Sequence, residues 1–289
     1  MGTIYTLLND DLSVQIDAMG AEPVSVKDRR KNGKELLWNG DPRFWDRHSP
    51  ILFPFCGRVY NGKATADGIP CDIPLHGFFH SRVAEGSAQK DGSLVFTETD
   101  DAQTLARYPY PFRVDVRYRL NGRTLTVETA VTNTGDKPMH YGFGAHPGFA
   151  LDGPTEEYRV RFGRRQAVRQ VRFDADACYP VGGSDPFPLA DGDTFSLSEA
   201  QFRVGSFFLC DMPDSVTLLR GDDPVVTLSY PAFSYLGFWK VPEAKFLCIE
   251  PWCSLPAHKG ETVEFSARPD FLHLAAGETK THTYTITFH

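Results

Sequence analysis

Four short segments of this chain carry ionisable side chains among prolines, glycines and aromatic residues. They are FPFCGRV with Arg58, PLHGFFH with His76 and His80, GFGAHPGFA with His146, and FLCIEPW with Glu250. Together they predict a polar cleft lined by aromatic rings. A sugar suits such a cleft, because pyranose rings offer apolar faces to aromatic side chains and hydroxyls to charged groups.

Each of these residues has an ordinary explanation when it is taken alone. A single histidine in an apolar setting is more often a hydrogen-bonded core or surface residue than a catalyst. A glutamate at the end of a strand is usually solvated. The combination of four such segments in one chain is what favours a functional site.

Other kinds of chemistry fit the sequence less well. His76 and His80 are spaced for a helix, which Pro74 and Gly77 oppose, and no CxxC pair is present, so we expect no metal site. The chain has no G-x-S-x-G nucleophile motif, and GFGAHPG lacks the lysine of a phosphate-binding loop. A glycosidase would need two carboxylates, and only Glu250 has a convincing setting.

The elements that must position these residues are β-strands. RVDVRYRL and LTVET alternate apolar and polar residues on either side of Asn121-Gly122, which predicts a hairpin. The same alternation occurs in six other segments: LSVQID, SLVFTET, EYRVRF, SVTLL, VVTLSY and the closing THTYTITF. Helical patterns are confined to residues 100–108 and 198–201. We therefore predict an all-β chain with antiparallel sheets, forming a sandwich or barrel in one domain over residues 1–289.

Composition limits the class of protein. The 289 residues are 41% hydrophobic, enough for a sizeable core, and a net charge of −7 with mixed signs argues against nucleic-acid binding. The sequence has neither a secretory signal pattern nor a membrane-spanning apolar run, so we expect a cytoplasmic protein with six reduced cysteines. We expect a monomer or homodimer.

Three motifs resemble, in order, those of the aldose 1-epimerase (galactose mutarotase-like) family, and its LacX-type branch in particular. They are HGF at 76–78, GAHPGF at 144–149 and CIEPW at 248–252. PILFPFCGRV, YPYPFRVDVRYRL and LAAGETKTHTYTI extend the resemblance over nearly the whole chain. It implies a large antiparallel β-sandwich, the supersandwich, with few short helices and an open groove on one sheet.

The resemblance also implies an activity, the interconversion of the α and β anomers of a free aldose without a cofactor or a metal. Glu250 is then the base at the C1 hydroxyl and His146 the acid at the ring oxygen. His76 is the second histidine beside them, and Arg58 holds a hydroxyl. Ordinary pKa values of about 6.5 for histidine and 4.3 for glutamate suggest that the pair needs only modest tuning.

The chain departs from the family pattern at several positions that contact substrate in relatives. Phe79-His80 stands where relatives often carry Ala-Arg, so we expect His80 to affect which sugar is accepted. Asp211 is a weak candidate for a substrate-binding aspartate. Trp45 and Trp239 are candidate rims of the groove, although core packing suits both equally.

Two alternative functions remain open at this point. A hexose-6-phosphate mutarotase would need a cluster of arginines, which Arg43, Arg58 and Arg82 do not obviously form. A non-catalytic carbohydrate-binding protein would not need both His146 and Glu250.

Overall fold

The computed structural model describes residues 2–176 and 178–289, almost half of which lie in short, mainly antiparallel strands. In chain order the strands are β1 (Ile4–Leu8), β2 (Leu12–Asp17), β3 (Glu22–Asp28), β4 (Lys34–Glu35), β5 (Ile51–Leu52), β6 (Ala64–Ala66), β7 (Ile69–Cys71), β8 (Glu85–Ala88), β9 (Leu94–Thr99), β10 (Phe112–Asn121), β11 (Thr124–Asn133), β12 (Met139–Tyr141), β13 (Gly144–Ala145), β14 (Gly148–Ala150), β15 (Tyr158–Phe162), β16 (Arg169–Phe173), β17 (Pro180–Pro186), β18 (Thr194–Ser196), β19 (Ser206–Cys210), β20 (Ser215–Arg220), β21 (Asp223–Ser229), β22 (Tyr235–Trp239), β23 (Phe246–Trp252), β24 (Val263–Glu264), β25 (Leu272–Leu274) and β26 (Thr279–Phe288).

Two large sheets account for most of these strands. One has nine strands in the order β18-β15-β20-β21-β26-β11-β10-β9-β8. The other has eight, in the order β17-β16-β19-β22-β23-β13-β5, with β14 also paired to β23. The predicted hairpin is β10–β11, in which Asn121 pairs with Thr124 around a turn that contains Gly122 at φ 53°.

The main core lies between the inner faces of the two large sheets. Val114, Val116 and Tyr118 of β10 belong to the same buried cluster as Leu247 and Ile249 of β23. Burying each such side chain contributes about 1.5–3 kcal/mol. The alternation in the sequence therefore reflects one buried and one outer face on each strand, and the predicted all-β sandwich is confirmed.

Helices are few and short, as predicted. One α-helix, α1 (Ala102–Arg107), starts with a capping box between Asp101 and Thr104. Single 3₁₀ turns occupy Arg29–Lys31, Tyr60–Gly62, Phe79–Ser81, Thr155–Glu157, Glu199–Phe202 and Phe265–Ala267. Within residues 2–176 and 178–289, no helix is long and apolar enough to span a membrane.

The outer face of the eight-stranded sheet carries two smaller apolar clusters. One contains Trp252 and Phe208, and the other contains Phe246 and Cys248. Successive side chains on a strand point to opposite faces, so the even-numbered residues of β23 lie on this outer face, and Glu250 lies there between the clusters.

Candidate active site

An open cavity of about 650 Å³ covers this outer face. It is lined by all the predicted site residues except Asp211, and by several aromatic rings. The lining includes Trp45, Arg47, Pro50, Arg58, His76, His80, His146, Phe173, Phe208, Trp239, Glu250 and Trp252.

Glu250 lies on the floor of the cavity, on the central strand β23. Its cross-strand partner is Gly237 of β22. A Cβ atom at Gly237 would approach the ring of Phe208 to 2.6 Å, so glycine is needed there for the ring to lie over the strand. The Glu250 side chain is only 2% exposed. A rigid strand and a close-packed ring therefore hold this carboxyl group in place.

His146 lies in the break between β13 and β14, where the chain leaves and rejoins the sheet edge. Its backbone N–H donates to the Pro50 carbonyl at 3.0 Å. The imidazole packs against Trp45, with ring centroids 4.9 Å apart, and against the edge of Trp239 at 5.5 Å. Its Nε2 atom lies 3.3 Å from Oε2 of Glu250. Two residues 104 positions apart in the chain thus form a close pair.

His76 completes the group, in a strained backbone conformation. Its φ of 63° is uncommon for a non-glycine residue and turns the side chain toward the cavity. The Gly57 N–H donates to Nδ1 of His76 at 3.1 Å, so the neutral ring carries its proton on Nε2. The ring stands perpendicular to that of His146, with centroids 5.4 Å apart. His76 is therefore a hydrogen-bond donor beside the pair.

Burial shifts the pKa values of all three groups toward their neutral forms. It raises the pKa of Glu250 well above its ordinary value, opposed by the Trp252 side chain, and lowers the pKa of His146 to about 3. Burial, and next the neighbouring His146, lower the pKa of His76 well below its usual value. The expectation of modest tuning was therefore wrong, because burial at the floor of the cavity disfavours the charged form of each group.

These directions define the proton content of the pair. A neutral carboxyl group beside a neutral imidazole holds one transferable proton, and so does a carboxylate beside an imidazolium. The two forms differ only in where the proton lies between Oε2 of Glu250 and Nε2 of His146. Because both groups are buried, the uncharged form is favoured.

Four buried polar atoms of the cavity-lining residues have no hydrogen-bond partner among the described residues. They are Oε1 of Glu250, Nδ1 of His146, Nδ1 of His80 and the indole Nε1 of Trp252, which lies near enough to Glu250 to affect its pKa but does not have hydrogen-bond geometry. An unpaired buried polar atom costs about 1–3 kcal/mol, so most proteins satisfy such atoms. A ligand with several hydroxyl groups would satisfy them on entering the cavity.

The remaining predicted site residues fall into two groups. Arg58, His80 and Trp239 line the cavity. Arg58 is exposed, and burial, followed by the charge of Arg47, lowers the pKa of His80 to about 4. Asp211 does not line the cavity: it is exposed, in the turn after β19, at φ 56°. The structure therefore does not bring this weak candidate to the cavity, because the sheet ends before it.

Sequence reasoning missed a row of aromatic rings along the cavity floor. The ring of Trp252 lies 4.5 Å from that of Phe208, which in turn stacks on Phe173 at 5.2 Å. These residues occupy β23, β19 and β16, which are far apart in sequence. A signal was available in SFFLC, residues 206–210. Adjacent residues of a strand face opposite sides of the sheet, so one of Phe207 and Phe208 had to point away from the core.

The same place offers a possible set of metal ligands. Ligand atoms of His146, Cys248 and Glu250 lie within 4.8 Å of one another, and this is the one such cluster within residues 2–176 and 178–289. Imidazole, thiolate and carboxylate are all zinc ligands. Two of the three are the paired groups already described, so metal binding and proton transfer would use the same atoms.

Comparisons with known proteins show which family the chain belongs to. The sequence profile of aldose 1-epimerases matches residues 3–194, more than half of the chain. The chain belongs to the aldose 1-epimerase family. The match includes Arg58, His76 and His146 and ends before Glu250. Protein LacX (chromosomal) of Lactococcus lactis is 29% identical over 297 residues, which cover 97% of this chain and 98% of LacX. The resemblance seen in the three motifs is thus confirmed.

Solved structures place the fold in the same group. A galactose mutarotase-like protein from Lactobacillus casei has a TM-score of 0.92 at 26% identity, covering 99% of this chain and 100% of that one. A galactose mutarotase related enzyme from Lactobacillus acidophilus has a TM-score of 0.92 at 24% identity, covering 99% and 97%. The sandwich is therefore the galactose mutarotase-like fold.

Proposed function

We propose that this protein is an aldose 1-epimerase that interconverts the α and β anomers of a free aldose by opening and closing its ring. The observation that carries the proposal is the close pair formed by His146 and Glu250, 3.3 Å apart at the floor of an open, aromatic-lined cavity. A pure binding protein needs no acid beside a base. Family membership supports the same reading.

Ring opening requires two proton movements. The C1 hydroxyl loses its proton to Glu250, the C1–ring-oxygen bond breaks, and the ring oxygen takes a proton from His146. After rotation about the C1–C2 bond, the reverse transfers close the ring on the other face of the aldehyde. The Nε2–H of His76 donates to the oxygen that carries developing charge. The pair contains one proton throughout, so the reaction consumes nothing.

Sugar binding prepares the pair for this first step. A hydroxyl that donates to the unpartnered Oε1 of Glu250 favours the carboxylate, because hydrogen bonds to a charged form stabilise it. The proton then moves to His146, which becomes the acid. Positioned acids and bases each contribute about 10²–10⁴-fold. Only proton transfers are needed, so the mechanism involves neither a cofactor nor a metal.

The arginines favour an unphosphorylated sugar over the phosphosugar alternative. Arg43 pairs with Asp41, and Arg82 pairs with Glu98 and Asp101, away from the cavity. Arg47 lines the cavity, but its guanidinium donates to the His80 carbonyl. Among the cavity-lining residues that the structure describes, Arg58 is the one arginine with neither an ion pair nor a hydrogen bond. A phosphate dianion would favour a cluster of such guanidinium groups, and a single one does not form that cluster.

The direct test is polarimetry on freshly dissolved α-glucose and α-galactose, with glucose 6-phosphate as a third substrate. We expect faster mutarotation of at least one free sugar and a large loss in Glu250→Gln and His146→Asn. Glu98→Gln is the matched control, because Glu98 is equally buried but lies outside the cavity. Acceleration of the phosphate alone would favour the phosphosugar function. Binding without acceleration of any sugar would favour the carbohydrate-binding function.

A further inference from the structure

A second buried glutamate, Glu22, lies behind one wall of the cavity. It is the first residue of β3, is 4% exposed, and does not line the cavity itself. Its Oε1 accepts the backbone N–H groups of His48 at 2.6 Å and Ser49 at 2.9 Å. Its Oε2 lies 3.5 Å from the guanidinium of Arg47. One carboxylate thus binds three consecutive residues.

Those three residues belong to a segment, Trp45–Pro50, that forms the cavity wall beside His146. Trp45 packs on the imidazole, and Pro50 accepts the backbone N–H of His146. The His48 carbonyl accepts the N–H of Gly148 at 2.8 Å. The segment therefore contacts the imidazole ring of His146, the backbone N–H of His146 and the backbone N–H of Gly148.

The segment has no regular secondary structure of its own to keep it in place. It is held by side chains: the indole N–H of Trp38 donates to the Trp45 carbonyl at 2.7 Å, and Arg47 donates to the His80 carbonyl at 2.7 Å. Glu22 is the carboxylate among these contacts. Its hydrogen bonds to two backbone N–H groups fix the path of the chain rather than one side chain.

We propose that Glu22 is a positioning residue, which holds the Trp45–Pro50 segment and a negative charge in place beside His146. The effect of Glu22 on catalysis rests on the proposed function. The contacts by which Glu22 holds the segment do not depend on it. Glu22 touches neither the substrate cavity nor the reacting pair, and it acts through the segment.

The charge of Glu22 acts in the direction that the mechanism needs. It favours the protonated forms of His146 and His80, against burial, which is the larger effect on both. The other ionisable groups near His146 belong to three further elements of the fold: Glu250 and Cys248 of β23, His76 and His80 of the 76–81 segment, and Arg47 of the cavity wall. Glu22 is thus a fixed negative charge that, with the backbone hydrogen bond of His146, opposes the effect of burial on the imidazole.

The opposite end of the same strand provides a matched control. Asp28, the last residue of β3, is fully buried and pairs with Arg123 at 2.8 Å, far from the cavity. Glu22→Gln keeps an oxygen acceptor for the two N–H groups and removes the charge. Asp28→Asn makes the same chemical change in a carboxylate that does not touch the wall.

The experiment compares kcat, KM and thermal unfolding for the two variants, with Glu22→Asp as the conservative rescue. We expect Glu22→Gln to lower kcat by about tenfold, because a slightly misplaced catalytic group loses much of its effect. We expect KM to change by less than about twofold, and both limbs of the pH profile to move to lower pH. Glu22→Asp should recover part of kcat, and Asp28→Asn should change stability alone.

A second readout separates this proposal from the proposed function. The imidazole signal of His146, assigned in a ¹⁵N NMR spectrum with His146→Asn, should shift in Glu22→Gln and stay in place in Asp28→Asn. If the wild type accelerates no sugar, the proposed function fails and the NMR shift alone decides on Glu22. An unchanged His146 signal, or equal kcat losses in the two variants, would overturn the positioning role.

Discussion

Two glutamates of this protein are almost equally buried, yet their carboxyl groups behave in opposite ways. Burial raises the pKa of each, but at Glu22 the hydrogen bonds from His48 and Ser49 and the charge of Arg47 outweigh it, and the pKa falls. At Glu250 the Trp252 side chain alone opposes burial, and the pKa stays well above its ordinary value. The number of donors, rather than burial, decides whether a buried carboxyl group is a fixed charge or a proton store.

The comparison separates structural from reactive carboxylates. Glu22 has its oxygens engaged by the protein, so it is an anion that cannot take part in proton transfer. Glu250 keeps one oxygen without a partner and the other 3.3 Å from an imidazole. A free oxygen at the floor of a cavity is costly for folding and is useful only when a ligand arrives.

The largest expected effect on kcat comes from replacing Glu250 by glutamine, and the matching substitution of Glu22 provides the comparison. Glu250→Gln should lower kcat by about 10³-fold, because it removes the base. Glu22→Gln, an identical chemical change, should lower it by about tenfold, because only the support of His146 changes. Anomer exchange measured by proton NMR at equal concentrations of folded protein gives both values. Equal losses would mean that the two carboxylates do not have different roles.

Stability should respond to the same substitutions in opposite directions. The pKa of Glu22 lies below the unfolded value of 4.5, so its stabilisation is present at neutral pH and is lost as the pH falls below that value. The pKa of Glu250 is raised, so its contribution is present below pH 4.5 and is lost as the pH rises through the folded value.

At pH 8, therefore, Glu22→Gln should destabilise the protein by about 1 kcal/mol, and Glu250→Gln should stabilise it, because it removes a carboxyl group whose ionisation burial disfavours. Urea unfolding at pH 8 and at pH 4 measures both changes, and both differences from the wild type should shrink at the lower pH. A loss of stability at pH 8 in Glu250→Gln would show that its carboxyl group is satisfied after all.

Much of this picture follows from sequence, and the part that does not has a physical reason. Period-two alternation predicted the strands, and three motifs predicted that His76, His146 and Glu250 meet. The role of Glu22 was not predictable, because its partners in the 47–49 segment are 25 or more positions away and two of them are backbone groups. The pKa shifts of His146 and Glu250 were not predictable either, because they depend on how deeply the fold buries each group.

The smallest expected effect concerns a third carboxylate, Asp211, which the sequence offered only as a weak candidate for substrate binding. It is exposed in a turn and does not line the cavity. Asp211→Asn should leave kcat and KM within about twofold of the wild type, because it contacts neither the sugar nor the pair. A KM increase of tenfold or more would place this aspartate at the groove in the working enzyme.

The most direct test of the account is the pH dependence of kcat/KM for the wild type on its best free sugar. A pair that works with one shared proton should be active over a broad plateau that starts below about pH 4.3 and extends above about pH 6.5, because burial lowers the pKa of His146 to about 3 and raises that of Glu250 well above its ordinary value. Ordinary groups would instead give a narrow maximum between about pH 4.3 and 6.5. A broad plateau supports the one-proton pair, and a narrow maximum in that acidic range would contradict it.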